Sequence, residues 1–293
     1  MRVRKAVFPV AGLGTRFLPI TKSTPKELLP LIDTPIIKFA TDEAIAAGID
    51  TLIFVTGRMK RSIGDFYDAN LELEYHLGAA RKDAELEQIR SIVPTGINCL
   101  FVRQPAPVGL GDAVLRAAPA VGDEPFAVLL ADDLMTGPIR PTTQLVESHG
   151  RHGGSVISAL EVDRSEVSKY GILHRGAEDA EGLISVPGIV EKPTAAAAPS
   201  TLASMGRYVF EPAIFSALQS IGPGANGEIQ LADAINTLAR RGQVHARRLV
   251  GKRYDCGSKF GYLEAIIDHA LSQPEYRDRF SALIRQRLAN LDG

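Results

Sequence analysis

The stretch FPVAGLGTRFLPITKSTPKELLPLIDTPII, residues 8–37, sets Gly12, Gly14, Arg16 and Lys26 on one proline-rich loop directly after an apolar run. Glycine lets backbone approach a ligand and turn its N–H groups toward phosphate oxygens. Arg16 adds a planar fork suited to bidentate phosphate contact. Lys26 follows Pro19 and Pro25, which predict an extended segment and keep it out of a helix. Two cations on a stiff loop beside exposed N–H groups would cradle a polyphosphate. The competing reading, two solvated surface cations, calls for no such constraint on the chain. GLGTRF is not a complete dinucleotide fingerprint, because Phe17 stands where the third glycine belongs, and no P-loop pattern follows. That counts against an NAD-binding oxidoreductase.

Other groups could share that chemistry. FAVLLADDL puts Asp132 and Asp133 at the carboxyl end of an apolar run. On a strand they would point to opposite faces, so one of them reaches a shared metal. In YDCGSKF, Asp255 precedes Ser258, which suits the N-cap of a following helix. A metal held there would lie beside amide donors, with simple capping as the alternative. VEKP sets Glu191 beside Lys192, and Pro193 predicts extended backbone at Lys192, so the two side chains should diverge. Gly171 in KYGI suits a turn or a close approach of backbone to ligand. His149 and His152 lie beside glycines at a helix end with no third ligand evident, and read as solvated.

The motifs PVAGLGTRFLPITKSTPKELLP, FVTGRMKRSI, VRQPAPVGLGDAV, KYGIL, VEKP, GRYVF, GEIQLADAI and YDCGSKFGY occur in this order over nearly the whole chain. Together they resemble the signature of the sugar-phosphate nucleotidyltransferases, and in detail its uridylyl branch. The resemblance implies a Rossmann-like α/β fold of the nucleotide-diphospho-sugar transferase kind. That fold has a mixed, parallel-rich central sheet flanked by helices. It also implies Mg²⁺-assisted transfer of the uridylyl group of UTP to α-D-glucose 1-phosphate, giving UDP-glucose and pyrophosphate. Under it, Arg16, Lys26, Asp132 and Lys192 are catalytic, and Asp132 and Asp255 hold the metal. Ala11, Gly12, Gly14, Thr15, Gln104 and Gly109 would bind the nucleotide. Gln104 carries a donor and an acceptor on one amide, which suits the N3–H and adjacent carbonyl of uracil, though alone it fits a surface glutamine. Gly109 and Gly111 would let backbone close over the base. Gly171, Glu191 and Lys192 would bind the sugar phosphate. Ala131 stands where the family more often has proline. Glu228 and Asp233 receive no role. Two readings compete: a relative using dTTP, and a non-catalytic regulatory paralogue, against which the intact set of cations and carboxylates speaks.

The elements that must position these groups are legible as runs. AVFPV (6–10), TLIFV (51–55), CLFV (99–102), FAVLL (126–130) and SVISAL (155–160) predict strands covered on both faces. PIIKFATDEAIAAG (35–48) predicts a helix opened by Pro35 and closed by Gly48. Such alternation predicts a parallel sheet with ligands at the carboxyl ends of its strands. KYGILHR, GIVEKP and MGRYVF predict a mixed second half, and TAAAAPS (194–200) a mobile low-complexity loop. Residues 1–257 are expected as one domain, with a nucleotide half (1–135) and a sugar-phosphate half (136–257). Residues 258–293 add amphipathic helices that pack on that domain or meet another subunit, in a homo-oligomer expected as dimer or tetramer.

A chain of 293 residues, 45% hydrophobic and 23% charged, can bury a sizeable core. Its net charge of −1 gives no basic field for nucleic acid, so any anion site is local. No run reaches the roughly 18 apolar residues of a membrane span, and the first apolar run breaks at Pro9, unlike a signal peptide. Cys99 and Cys256 form no disulfide framework. A cytoplasmic protein is expected.

Overall fold

Val7, Phe8, Ile53 and Phe54 are wholly buried, and the rings of Phe8 and Phe54 stack at 5.2 Å. They belong to the strands Lys5–Pro9 and Thr51–Thr56, which pair in parallel with Ala6 opposite Leu52. Apolar side chains on both strand faces require cover on both sides of a sheet, and helices supply it. The helix Ile36–Ala46 begins after Pro35 and ends near Gly48, whose φ of 85° only glycine adopts cheaply.

The computed structural model describes residues 2–224 and 227–291. Among them the central sheet has ten strands. One half runs Asn98–Arg103, Thr51–Thr56, Lys5–Pro9, Phe126–Leu129, all parallel. Leu202–Phe210 then lies antiparallel between Phe126–Leu129 and Ser155–Glu161. Val244–Arg248 pairs in parallel with Ser155–Glu161, and Leu183–Ser185 closes that edge. Gly171–Leu173 and Ile189–Glu191 form a ribbon attached to Leu202–Phe210 at Ala203. The sheet is therefore mixed and mostly parallel. A separate ribbon pairs Asp133–Thr136 with Lys252–Asp255.

Two expectations change. The strand containing CLFV is only partly covered on either face: it is the outer strand, and the adjacent Leu100 and Phe101, which point to opposite faces, are both about two-fifths exposed. TAAAAPS is a built turn, closed by N–H bonds from Ala197 and Ala198 to Thr194 and anchored by buried Ala198. The C-terminal helix Pro274–Ala289 buries none of its residues in the single chain. No helix among the described residues is long and apolar enough to cross a membrane.

The parallel strands deliver their carboxyl ends to one edge. Lys5–Pro9 leads to Gly12, Asn98–Arg103 to Gln104 and Phe126–Leu129 to Asp132. That edge is where such a sheet binds ligands.

Candidate active site

The glycine-opened loop is not extended. It folds into three 3-10 turns, Thr15–Phe17, Ile20–Lys22 and Lys26–Leu28. Pro19 and Pro25 stand just before the second and third of them, where a fixed φ favours starting a turn. Gly14 takes φ 66°, and its carbonyl accepts the Thr21 hydroxyl at 2.8 Å. The N–H groups of Gly12, Leu13 and Gly14 make no hydrogen bond among the described residues. Exposed donors of this kind suit an anion.

Adjacent residues of the third turn face opposite ways. Glu27 goes inward to Lys60, Nζ to Oε2 at 2.6 Å, with both side chains almost fully buried. Burial pushes the Glu27 carboxyl above its ordinary range, against the pull of Lys60 and Lys26. Lys26 goes outward and donates to Asp132 Oδ2 at 2.5 Å. Burial acts to lower the Lys26 ammonium, yet Asp132 and Glu27 hold it above the ordinary value. Burial likewise acts to raise Asp132, but Lys26 and then Arg16 hold its carboxyl below the usual range.

Asp132 sits in a turn after the strand, and Asp133 opens the next strand. Their side chains diverge as expected. The Asp133 carboxylate accepts from Gly206 N at 3.1 Å and from Arg253. Arg253 also donates to the Tyr170 hydroxyl at 3.2 Å and lies over that ring. Behind the turn, the buried Arg207 guanidinium donates to the carbonyls of Leu130 at 2.9 Å and Asp133 at 2.7 Å. Those two carbonyls bracket Asp132. Arg207 is itself held by Glu43, Nη2 to Oε2 at 2.9 Å.

Asp255 ends its strand opposite Asp133. Its Oδ1 accepts Gly257 N at 3.0 Å, and Ser258 caps the helix Lys259–Ser272 by accepting from Gly261 N. A Cβ at Gly257 would stand 2.6 Å from Asp132 Oδ2 and 3.1 Å from Asp255 Oδ1. The two carboxylates thus close on one small space that only glycine leaves open. Among the described residues no His, Cys, Asp or Glu cluster of three or more is arranged for a metal. Mg²⁺ is commonly held by one or two carboxylates together with phosphate oxygens, so Asp132 and Asp255 fit that ion. Arg16 donates to the Gly257 carbonyl at 2.9 Å, which ties the opening loop to the same turn.

On the other side, Lys192 takes φ 46°, the left-handed region rather than extended backbone. The chain turns there, so Lys192 Nζ swings back to 3.6 Å from Glu191 Oε1 instead of diverging. A Cβ at Gly171 would meet Glu191 Oε2 at 3.1 Å, so the glycine leaves room for that carboxylate. A cleft of about 660 Å³ joins these parts, lined among others by Arg16, Asp132, Asp255, Gly171, Glu191 and Lys192.

The nucleotidyl transferase family model matches residues 5–270 of this chain. A UTP–glucose-1-phosphate uridylyltransferase of Streptococcus pyogenes is 48% identical over 97% of this chain and 96% of its own. The chain belongs to the nucleotidyl transferase family. Among solved structures, a UTP-bound UGPase of Acinetobacter baumannii superposes on this nucleotidyl transferase with TM-score 0.89 at 41% identity, covering 96% of this chain and 98% of that one. A UDP-glucose pyrophosphorylase complexed with UDP-glucose gives 0.84 at 41% identity over 92% and 100%.

In this nucleotidyl transferase Gln104 does not offer both ends of its amide. Its Nε2 donates to Gly109 O at 3.1 Å and to Asp112 Oδ2 at 2.8 Å. Gly109 and Gly111 also serve the chain itself. A Cβ at either would stand 2.6 or 2.7 Å from the Ile229 carbonyl, and Gly111 N donates to that oxygen. GEIQ therefore has a place: it docks on the two glycines, and Glu228 and Gln230 line the cleft. Asp233 lies in the first turn of the helix Leu231–Ala239. His149 is buried, not solvated, and its Nδ1 lies 2.8 Å from the Gly154 carbonyl. Sequence reasoning missed Arg207, Glu43, Glu27, Lys60, Arg253 and Tyr170, because their partners stand far off along the chain.

Proposed function

We propose that this chain transfers the uridylyl group of UTP to α-D-glucose 1-phosphate, forming UDP-glucose and releasing pyrophosphate. The observation that carries this reading is the convergence of Arg16, Lys26, Asp132 and Asp255 on one edge of a cleft whose other wall holds Glu191 and Lys192. Relatives about half identical over nearly their whole length bear that activity in their names.

The attacking sugar-phosphate oxygen is already anionic near neutral pH, so no residue need activate it. The obstacle is repulsion between two anions and charge gathering on the leaving pyrophosphate. Arg16 and Lys26 offset the pyrophosphate charge, beside the N–H groups of Gly12, Gly14 and Thr15. Ala11, with its neighbours, lines the nucleotide path. Lys192 steers the sugar phosphate, and Glu191 with the Gly171 backbone takes the glucose hydroxyls. Gln104 reads the base. Asp132 and Asp255 would hold Mg²⁺, which when bound offsets phosphate charge. Before substrate arrives, Lys26 and Asp132 keep one another in place, so the charges are set in advance.

The test is pyrophosphate release in the presence of Mg²⁺, crossing four nucleoside triphosphates with several sugar 1-phosphates. UTP with glucose 1-phosphate should give the highest kcat/KM. A protein that releases pyrophosphate only from another pair, or from none, overturns the reading.

A further inference from the structure

Gln104 is buried, and both hydrogens of its side-chain amide are taken up within the chain, one by Asp112 and one by the Gly109 carbonyl. Both partners are acceptors. Turning the amide over would press Oε1 against a carboxylate and a carbonyl oxygen, so the group has one orientation. Asp112 is fixed in turn. It is 2% exposed, and its Oδ1 accepts Arg116 Nε at 3.2 Å and Nη2 at 3.0 Å. The remaining amide atom, Gln104 Oε1, has no hydrogen-bond partner among the described residues. It is also absent from the side-chain atoms sealed from solvent without one. Gln104 directly follows the strand Asn98–Arg103, at the sheet edge shared with the glycine loop.

We propose that Asp112 is a positioning residue that sets base specificity: acting through Gln104, it presents the base with a fixed acceptor and no donor. This rests on the reading of Gln104 as the base contact and deepens it. Uracil and thymine carry an N–H at N3. Cytosine carries a lone pair there, and an acceptor that cannot turn over repels it. An unlocked glutamine could offer either end of its amide and would accept both kinds of base. Selectivity then comes from what the lock forbids, as much as from the bond it makes.

The experiment compares wild type, D112N and R116Q in pyrophosphate release from UTP, dTTP and CTP with glucose 1-phosphate and Mg²⁺. D112N keeps the side chain's size but can donate to a flipped Gln104. R116Q leaves Asp112 in place and only loosens it, which covers the case of a D112N protein that does not fold. The UTP-to-CTP ratio of kcat/KM should narrow by about tenfold in D112N, the scale of one hydrogen bond, and by less in R116Q. The dTTP value should fall in step with UTP. An equal loss for all three nucleotides, or an unchanged ratio in both variants, makes Asp112 a packing residue and overturns the proposal. Wild-type protein that makes no pyrophosphate from UTP would instead remove the underlying reaction, and that result is visible before any variant is measured.

Discussion

Arg207 and Glu43 meet inside the protein at 2.9 Å, each nearly without solvent exposure, directly behind the turn that carries Asp132. Glu43 Oε1 also takes the Thr142 backbone N–H at 2.9 Å and hydroxyl at 2.5 Å. One helix, one strand and the site turn are therefore tied through a single guanidinium.

Breaking that pair leaves a buried charge uncompensated. E43A or R207A should each lower unfolding free energy by about 3–5 kcal/mol, read from denaturant melts. E43L combined with R207M should lose less than the worse single variant. Losses that add would mean that the two residues act independently.

Lys26→Ala removes the cation paired with Asp132. Turnover should drop by roughly 10²–10³, the scale for one preorganised electrostatic partner. Glu27 stays on Lys60, so the melting temperature should move little. A turnover within twofold of wild type would take Lys26 out of the chemistry.

Gly257→Ala tests the space between the carboxylates. The added methyl would stand 2.6 Å from Asp132 Oδ2 and must push that carboxylate aside. Half-maximal activity should require about 10–100-fold more Mg²⁺. An unshifted Mg²⁺ titration would show that Asp132 and Asp255 do not share an ion.

Burial pushes the Cys99 thiol up to about 11 and the Cys256 thiol up to about 12. Raised values favour the protonated thiol, and only the thiolate reacts. Near pH 8 both should label slowly in the native protein, and labelling of Cys99 should accelerate as pH climbs toward 11. Unfolding in denaturant should expose both at ordinary thiol rates. Rapid native labelling of Cys256 at pH 8 would contradict its buried setting.

The parallel half of the sheet was legible because strands buried on both faces are written as apolar runs, as around Val7, Ile53 and Val128. The meeting of Arg16, Lys26 and Asp132 was legible for a related reason. Arg16 and Lys26 lie on the loop that leaves Lys5–Pro9, and Asp132 lies in the turn after Phe126–Leu129, at the same sheet edge. Asp255 ends a separate ribbon and was placed with them through the family resemblance. Arg207 was hidden. In GRYVF it looks like the exposed member of an alternating strand, but its strand lies between two others and its partner is 164 residues away in sequence. Lys192 was misread since a local preference, proline restricting its predecessor, gave way to the turn that the ribbon requires. Gln104 was read with both hands open, because nothing in local spacing announces that Asp112 takes one of them.

The third turn of the opening loop puts its acidic residue into the interior and its basic residue onto Asp132 at the cleft, with no residue between them. Deleting or inserting a single position between Pro25 and Leu28 would rotate that pair like a key turned in its lock. The acid would then face Asp132, and the ammonium would be driven against the buried Lys60 ammonium. Variants of this loop selected for new nucleotides should therefore change side chains and keep its length.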